Sequence, residues 1–197
     1  MSAPATPLIA ILAAGRATRF GGGKLDAPCA GKPLGQWVID AVATAGAAPG
    51  LIVTGPTAPA FAQAAMWDGW TLVTNPAPEE GLGTSVALAA RHAECVEADA
   101  LVLLLADMPL VSPEAIRALV EPADHPVALR YPSGRPGVPA RFPAAMFADL
   151  ASLTGDRGAA SLLGERADLR LIDGDAAAVT DVDDAASLAR AEALLRQ

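Results

Sequence analysis

Side chains that perform covalent, redox or zinc chemistry are scarce in this chain. Among 197 residues there are two cysteines, Cys29 and Cys95, and two histidines, His92 and His125. The cysteines form no C-x-x-C pair and the histidines lack zinc-ligand spacing, so we expect reduced thiols and no zinc site. No Ser-His-Asp, Cys-His or H-E-x-x-H arrangement is present, which disfavours hydrolysis through a covalent intermediate.

Long hydrophobic runs are also lacking. The two longest, Leu8–Ala14 and Ala100–Ala106, are far shorter than the roughly 20 residues that cross a membrane. No basic residue precedes the first run, which is unlike a signal peptide. Aromatic residues make up 4% of the chain, so Ala, Leu and Val must fill the core. We expect a cytoplasmic protein with no membrane partner, folded as one domain over residues 1–197.

Positive charge is sparse and unevenly placed. The net charge is −8, from 14 basic and 22 acidic residues, which disfavours nucleic acid as a partner. No acid occurs before Asp26, whereas Arg16, Arg19 and Lys24 do, and the two lysines of the chain, Lys24 and Lys32, fall in the same loop. We expect an anion site there, the alternative being a solvated loop that holds both lysines by chance.

Strand and helix patterns alternate along the chain. Short apolar runs predict strands at Leu8–Ala13, Leu51–Thr54, Leu72–Thr74, Ala100–Leu105 and Leu169–Ile172. Helices are predicted at Leu34–Ala45, at Ala58–Ala65, at Thr84–His92 with Thr84 or Ser85 near its N-cap, and from Pro113 with Ser112 as its cap. Further helices are predicted at Ala144–Leu153, Gly158–Leu163 and Asp184–Leu195. Val127–Tyr131 and Val138–Phe142 bracket a turn and predict a strand pair. This order predicts an α/β fold with a mainly parallel sheet covered on both faces, and ligands beyond the carboxyl ends of its strands.

The loop that ends at Lys24 is rich in glycine but fits neither common phosphate-binding motif. Leu25 follows Gly23-Lys24 where a P-loop has Ser or Thr, and the glycines lack the G-x-G-x-x-G spacing. Backbone N–H groups of such a loop still form a nest for phosphate oxygens, which Arg16, Arg19 and Lys24 would neutralise. The loop therefore predicts a phosphate site.

Acidic residues suggest where a metal ion would bind. Asp107 follows the strand Ala100–Leu105, where a carboxylate could hold Mg²⁺ against nucleotide phosphates. A turn aspartate is an equally good explanation of Asp107 from position alone. Asp181 and Asp183 would share a face of an extended segment and offer a second ligand, although at least one acid of this cluster is better explained as a cap of the last helix.

Seven segments together resemble the MobA-like nucleotidyltransferases, which attach a nucleotide to molybdopterin in molybdenum cofactor synthesis. In family order they are Leu12–Lys24 (LAAGRATRFGGGK), Gly31–Leu34 (GKPL), Asn75–Ser85 (NPAPEEGLGTS), Leu103–Val111 (LLLADMPLV), Gly134–Phe142 (GRPGVPARF), Leu153–Leu163 (LTGDRGAASLL) and Asp181–Leu188 (DVDDAASL). The resemblance covers nearly the whole chain. It implies a Rossmann-like nucleotidyltransferase fold of three layers, with a mainly parallel sheet and a small β-pair insertion near residues 127–142.

Within the group, the first segment is similar to the cytidylyl-transferring branch. That branch looks like L-A-A-G, as in Leu12-Ala13-Ala14-Gly15, whereas the guanylyl branch looks like L-A-G-G. The resemblance implies transfer of CMP from CTP to the phosphate of molybdopterin, with release of pyrophosphate and transient contact with a recipient molybdoenzyme. The alternatives are a GTP-using guanylyltransferase, a sugar- or alcohol-phosphate nucleotidyltransferase and, from another class, a non-catalytic chaperone that carries the cofactor.

The resemblance also implies a set of site residues. Lys24, Asp107 and Arg19 would be catalytic, and Asp107 with Asp183, or Asp181 in its place, would hold Mg²⁺ or Mn²⁺. The nucleotide contacts would be Leu12, Ala13, Ala14, Gly15, Arg16, Arg19, Lys24, Asn75, Ser85 and Asp107. This chain departs from the family at Gly23, where many relatives have Asp, and at Ala185, where Thr-Pro usually follows the acids. These departures affect a partner of Lys24 and the second metal ligand.

Overall fold

The computed structural model describes residues 6–15, 20–164, 166–173, 179 and 181–196. The strands are β1 (Leu8–Ala13), β2 (Pro28–Cys29), β3 (Lys32–Pro33), β4 (Leu51–Thr54), β5 (Thr71–Thr74), β6 (Ala100–Leu105), β7 (Val127–Arg130), β8 (Pro136–Pro143) and β9 (Arg170–Asp173). The helices are α1 (Gln36–Thr44), α2 (Ala60–Ala65), α3 (Leu82–Cys95), α4 (Pro113–Val120), α5 (Phe147–Ala151) and α6 (Ala185–Leu195). No helix of the described residues is long and apolar enough to cross a membrane.

Seven of these strands form one sheet in the order β5-β4-β1-β6-β8-β7-β9. β1 pairs in parallel with β4 and β6, β4 with β5, and β7 with β9. β8 runs antiparallel to both of its neighbours, β6 and β7. The mainly parallel sheet predicted from the alternating pattern is confirmed.

Helices cover both faces of this sheet because its central strands are apolar on both sides. Ile9 and Ile11 of β1 pack in a core cluster with α1, α2, α4 and α6, whereas Ala10 and Leu12 pack in a second cluster with α3 and α5. Alternate residues of a strand point to opposite faces, so β1 supplies both clusters. The result is the three-layer α/β arrangement.

The strand pair predicted at residues 127–142 is present as β7 and β8, with Ala128 opposite Ala140. The pair extends the main sheet, because β8 also pairs with β6. A separate two-stranded antiparallel sheet is formed by β2 and β3, in the loop that follows Lys24.

Several helix limits differ from the predicted ones. α3 begins at Leu82 after Gly81, so neither Thr84 nor Ser85 caps it, and the Thr84 hydroxyl instead donates to the Gly81 carbonyl. The helix predicted from residue 144 begins as a 3-10 turn before α5, and the one predicted at residues 158–163 is a 3-10 turn, Ala159–Leu162. Short segments lack the length over which helical periodicity becomes distinctive.

Two predicted helix caps are confirmed. The Ser112 hydroxyl accepts a hydrogen bond from the Ala115 N–H at the start of α4, at 3.1 Å. Asp184 and Ser187 form a reciprocal capping box at the start of α6. Asp184 is therefore the helix-capping acid of its cluster, which leaves Asp181 and Asp183 available for other roles.

The sheet places one crevice at its centre. From β1 the chain goes first to β4 and β5 on one side, and β6 then lies on the other side of β1. At such a reversal of direction the connections leave opposite faces of the sheet, and a crevice opens beyond the strand ends. The segments after β1 and β6 begin at this crevice.

Candidate active site

A cavity of about 270 Å³ lies at the carboxyl ends of β1 and β6. It is lined by the end of β1, by the 3-10 turn Lys24–Asp26 (the lysine turn), by the start of α3 and by the segment after β6. A residue near the start of α6 completes the lining. The residues are Leu12, Ala13, Ala14, Gly15, Lys24, Leu25, Pro78, Gly81, Leu82, Ser85, Leu105, Asp107 and Asp181. Seven of the predicted nucleotide contacts are among them.

Lys24, which lines this cavity, holds its ammonium between the carboxylates of Asp107 and Asp183, of which Asp107 also lines the cavity. Its Nζ atom is 2.7 Å from Oδ2 of Asp107 and 3.4 Å from Oδ1 of Asp183. The side chain of Lys24 is 9% exposed, against 25% for Asp107 and 58% for Asp183. Burial strengthens such charge interactions because little water screens them. The three charged side chains thus form one electrostatic unit.

The backbone around Lys24 forms a short turn that is anchored at its far end. Gly23 has φ +65° and precedes a 3-10 turn, Lys24–Asp26. At the far end, the Asp26 carboxylate accepts hydrogen bonds from the Ala60 and Phe61 N–H groups at the start of α2, at 2.8 and 2.9 Å. These bonds tie the turn to α2, and so hold Lys24 over the strand ends.

The carboxylates come together although they are far apart in the chain. The Val182 N–H donates to the carbonyl oxygen of Asp107 at 3.0 Å, which holds residues 181–183 against the end of β6. The pKa of Asp181 is raised to about 6, first because burial removes water from its carboxyl group and then because Asp107 and Asp183 repel its charge. The site therefore concentrates negative charge around Lys24.

The oxygen donors fit a divalent cation of the Mg²⁺ type. Within the described part of the chain, no group of three acidic, histidine or cysteine side chains has the arrangement of a protein-only metal site. Asp107 and Asp183 nevertheless offer two carboxylates that already share one cation, Lys24. Mg²⁺ in nucleotide enzymes is held by one or two carboxylates, with substrate phosphates and water completing its shell.

Asn75 has a different position from the other predicted contacts. It is buried, its Nδ2 atom donates to the hydroxyls of Thr84 and Ser85 at 2.8 and 3.0 Å, and its Oδ1 atom accepts from the Ala77 N–H. It does not line the cavity, whereas Ser85 does. The structure gives Asn75 the role of orienting Ser85, and direct contact of Asn75 with a nucleotide stays a prediction.

The remaining predicted cations divide into two cases. Arg16 and Arg19 lie outside the described residues, so their assigned roles stay predictions. Lys32 lies on β3, where its ammonium pairs with Asp40 and sits 3.4 Å from the centre of the Trp37 ring. The two lysines of the loop therefore do not share a site.

Two glycines at the start of α3 were not predicted to matter. A Cβ on Gly81, which has φ +107°, would lie 2.3 Å from the carbonyl carbon of Gly155, and one on Gly83 would lie 2.8 Å from the Thr154 nitrogen. The Gly83 N–H also donates to the Gly155 carbonyl at 2.9 Å. This glycine contact joins the segments Asn75–Ser85 and Leu153–Leu163. The glycines of these two segments were the sequence feature from which a close backbone contact could have been predicted.

Two further cavities share walls with the first. One of about 490 Å³ lies between Ala13–Gly15, the lysine turn and residues 55–59. The other, of about 330 Å³, is largely apolar and lies between Leu12, Leu82, Leu105 and the segment from Tyr131 to Val138. A substrate with several chemically distinct parts could occupy this chain of cavities.

The fold and this site define a class of protein. The fold is a three-layer α/β arrangement with a glycine-rich loop after β1, a lysine on that loop, one acid after β6 and another before α6. Such a site is suited to binding a nucleotide through its phosphates. The MobA-like NTP transferase domain matches residues 9–170. The chain belongs to this family, and it is a nucleotidyltransferase of the MobA-like type.

Two known proteins are similar to this chain over most of its length. The purine catabolism protein PucB of Bacillus subtilis (strain 168) is 32% identical over 163 residues, which are 77% of this chain and 78% of PucB. Rv0371c from Mycobacterium tuberculosis H37Rv has a TM-score of 0.78 and 29% identity, covering 98% of this chain and all of that one. A second structure of Rv0371c, a complex with manganese, has a TM-score of 0.70 at 24% identity, covering 95% and 98% of the two chains.

A more distant relative shares the fold. CMP:2-keto-3-deoxy-manno-octonic acid synthetase, in complex with CTP, has a TM-score of 0.68 at 19% identity, covering 98% of this chain and 99% of that one. The resemblance to the MobA-like family and its three-layer fold, expected from the sequence, are therefore confirmed.

Proposed function

We propose that the protein transfers CMP from CTP to the phosphate of molybdopterin and releases pyrophosphate. The observation that carries this proposal is the segment Leu12-Ala13-Ala14-Gly15, because all four residues line the cavity that also holds Lys24 and Asp107. The same four residues carry the likeness to cytidylyl-transferring enzymes. A fold relative whose structure contains CTP is consistent with this choice of nucleotide.

The reaction needs little acid–base chemistry from the protein. A terminal phosphate oxygen of the acceptor attacks the α-phosphorus of the nucleotide in line, the bond to the bridging oxygen breaks, and pyrophosphate leaves. The attacking oxygen is already anionic near neutral pH, so catalysis consists of positioning and charge neutralisation. Lys24 is suited to neutralise the phosphates, and Arg16 and Arg19 are proposed to assist it.

Asp107 and Asp183 are the proposed ligands of Mg²⁺ or Mn²⁺. When bound, the ion would supply charge neutralisation to the phosphates of the nucleotide. The chain's own part is to aim two carboxylates at one point, which the position of Lys24 marks. A manganese complex of the relative Rv0371c agrees with a divalent cation in this family.

The apolar cavity beside the first one is the proposed place of the acceptor's ring system. Its wall includes Tyr131, whose hydroxyl donates to the Val138 carbonyl at 2.7 Å and whose ring occupies the space that a Cβ on Gly137 would need. Burial raises the pKa of Tyr131 to about 12, so the ring stays neutral. A fixed aromatic wall suits a planar heterocycle better than a flexible sugar.

The non-catalytic chaperone is the weaker alternative. The feature that favours it is Gly23, which stands beside the lysine where many relatives have Asp. The structure supplies Lys24 with two other carboxylate partners, Asp107 and Asp183. The catalytic charges thus remain assembled without that Asp.

Binding of nucleotides by the folded chain tests the proposal first. The melting temperature is measured with CTP, GTP, ATP or UTP in the presence of Mg²⁺. A ligand that binds the folded state stabilises it by mass action, so CTP should give the largest rise. A larger rise with GTP would favour the guanylyl alternative, and no rise with any nucleotide would contradict nucleotide binding.

A further inference from the structure

The carboxylate pair of the active site already has a cation of its own. Lys24 donates from Nζ to both Asp107 and Asp183, and its side chain is 9% exposed. Its position is not that of a loosely solvated loop residue, because the turn that carries it is fastened to α2 through Asp26. In the free protein the two carboxylates therefore share one ammonium as a counter-ion.

A divalent cation and an ammonium compete for the same two oxygens. A cation drawn to Asp107 and Asp183 meets the charge of the buried Lys24 side chain within a few ångströms and is repelled by it. A divalent ion of this kind also loses its water reluctantly. Metal alone should thus bind weakly while Lys24 remains with the carboxylates.

Nucleotide phosphates change this balance. They offer Lys24 a second set of anionic oxygens, and the lining of the cavity places Lys24 and Ala13–Gly15 around the same space. Once its ammonium donates to phosphate oxygens, Asp107 and Asp183 lose their counter-ion and attract a divalent cation.

We propose that Lys24 is an exchangeable counter-ion that keeps divalent cations from Asp107 and Asp183 until a nucleotide binds. This inference rests on the proposed function for the identity of the metal ligands and of the nucleotide. It makes Lys24 responsible for the order of binding as well as for phosphate contact.

Titration of Mn²⁺ alone, followed by the electron paramagnetic resonance of the free ion, tests the inference without any turnover. Lys24→Gln should lower the dissociation constant for Mn²⁺ at least about tenfold relative to the parent chain. Lys32→Gln is the matched control, since Lys32 also pairs with an aspartate, Asp40, outside the cavity. It should leave the affinity unchanged, and adding Asp107→Asn to Lys24→Gln should abolish the gain.

A measurement on the unaltered Lys24 covers the case in which Lys24→Gln fails to fold. The chain has two lysines, so ¹³C-lysine labelling gives two side-chain signals, which Lys32→Gln assigns. The Lys24 signal should stay in place with Mg²⁺ alone and shift when CTP is added with Mg²⁺. A shift with Mg²⁺ alone, or equal Mn²⁺ affinities of the parent and Lys24→Gln, would overturn the inference.

The same data separate this inference from the proposed function. Suppose that Lys24→Gln binds Mn²⁺ more tightly but the Lys24 signal of the parent does not shift when CTP is added. This result would support the role of Lys24 as a counter-ion and would contradict CTP as the nucleotide. If the parent chain releases pyrophosphate from CTP but Lys24→Gln gains no affinity for Mn²⁺, the proposed function is supported and the counter-ion role of Lys24 is contradicted.

Discussion

Among the residues that the structure describes, Lys24 is the basic residue that lines the first cavity. We expect Lys24→Ala to lower turnover by about 10²–10³-fold, the usual effect of losing one preorganised donor to a developing charge. Folding stability should fall little, because Asp183 and part of Asp107 remain solvated without their partner. Steady-state rates and thermal melting of the same preparation check both expectations. Turnover near that of the parent would show that Lys24 has no catalytic role.

We expect Asp107 to make nucleotide binding depend on Mg²⁺. Asp107→Asn preserves size and most hydrogen bonding but removes the charge that a hard cation requires. We expect Mg²⁺-dependent nucleotide binding to weaken while the fold, judged by its circular dichroism spectrum, is retained. Calorimetric titration with nucleotide in the presence and absence of Mg²⁺ provides the measurement. If the variant binds Mg-nucleotide as tightly as the parent, Asp107 is a turn residue only.

Ala14 should influence which base is accepted. It lines both the first cavity and the one beside residues 55–59, and a methyl group there narrows the space next to a ligand. Discrimination by a single methyl or methylene is worth about 1–3 kcal/mol, so other residues must contribute. Ala14→Gly should raise kcat/KM for GTP relative to CTP without necessarily inverting the preference. An unchanged ratio would remove Ala14 from the specificity determinants.

At the scale of elements, the start of α3 depends on close packing of backbone against backbone. Gly83 faces residues 154–157, where a Cβ would lie 2.8 Å from the Thr154 nitrogen and 2.9 Å from the Arg157 carbonyl oxygen. We expect Gly83→Ala to destabilise the protein by roughly 1–3 kcal/mol, the usual cost of overpacking. Denaturant unfolding gives this value directly.

Gly164 provides the matched control for that substitution. It has nothing within 4 Å of the place where a Cβ would be. Gly164→Ala should therefore leave the free energy of unfolding within about 0.5 kcal/mol of the parent. Equal effects of the two substitutions would contradict the role given to the contact between α3 and residues 154–157.

Local sequence patterns predict that a given strand or helix exists. They do not predict where it ends or which other element it pairs with. The run Ala100–Leu105 predicts β6 because a fully apolar segment of strand length fits a sheet buried on both faces. Thr84 was a reasonable cap by residue type, yet Gly81 precedes α3 because its positive φ and its contact with Gly155 are set by a distant segment. Such tertiary requirements leave little trace in a local pattern.

The same limit applies to the site. Asp107 was predicted from its place after a strand, but its bond to Lys24 spans 83 residues and that from Lys24 to Asp183 spans 159. Residue type and spacing indicate which groups are available, and only the fold decides which of them meet. Asn75 illustrates this limit. An asparagine is a suitable residue type for a nucleotide contact, but in the structure the Asn75 amide donates to the hydroxyls of Thr84 and Ser85.

At the scale of the whole molecule, three adjoining cavities lie along one edge of the sheet. The first holds Lys24 and Asp107, the second adjoins Ala14 and the third is apolar. A reaction between a nucleotide and a second phosphorylated molecule uses such an arrangement, since both substrates must meet at one phosphorus atom. A protein that only carries a cofactor has no need for it.

Release of pyrophosphate tests this account most directly. The purified chain is incubated with Mg²⁺ and molybdopterin, and with CTP, GTP, ATP or UTP in separate reactions, while pyrophosphate is measured. Pyrophosphate should appear fastest with CTP, should require molybdopterin, and should fall to background with Asp107→Asn. Faster release with GTP would contradict the cytidylyl assignment, and no release with any nucleotide when molybdopterin is present would contradict transfer to this acceptor.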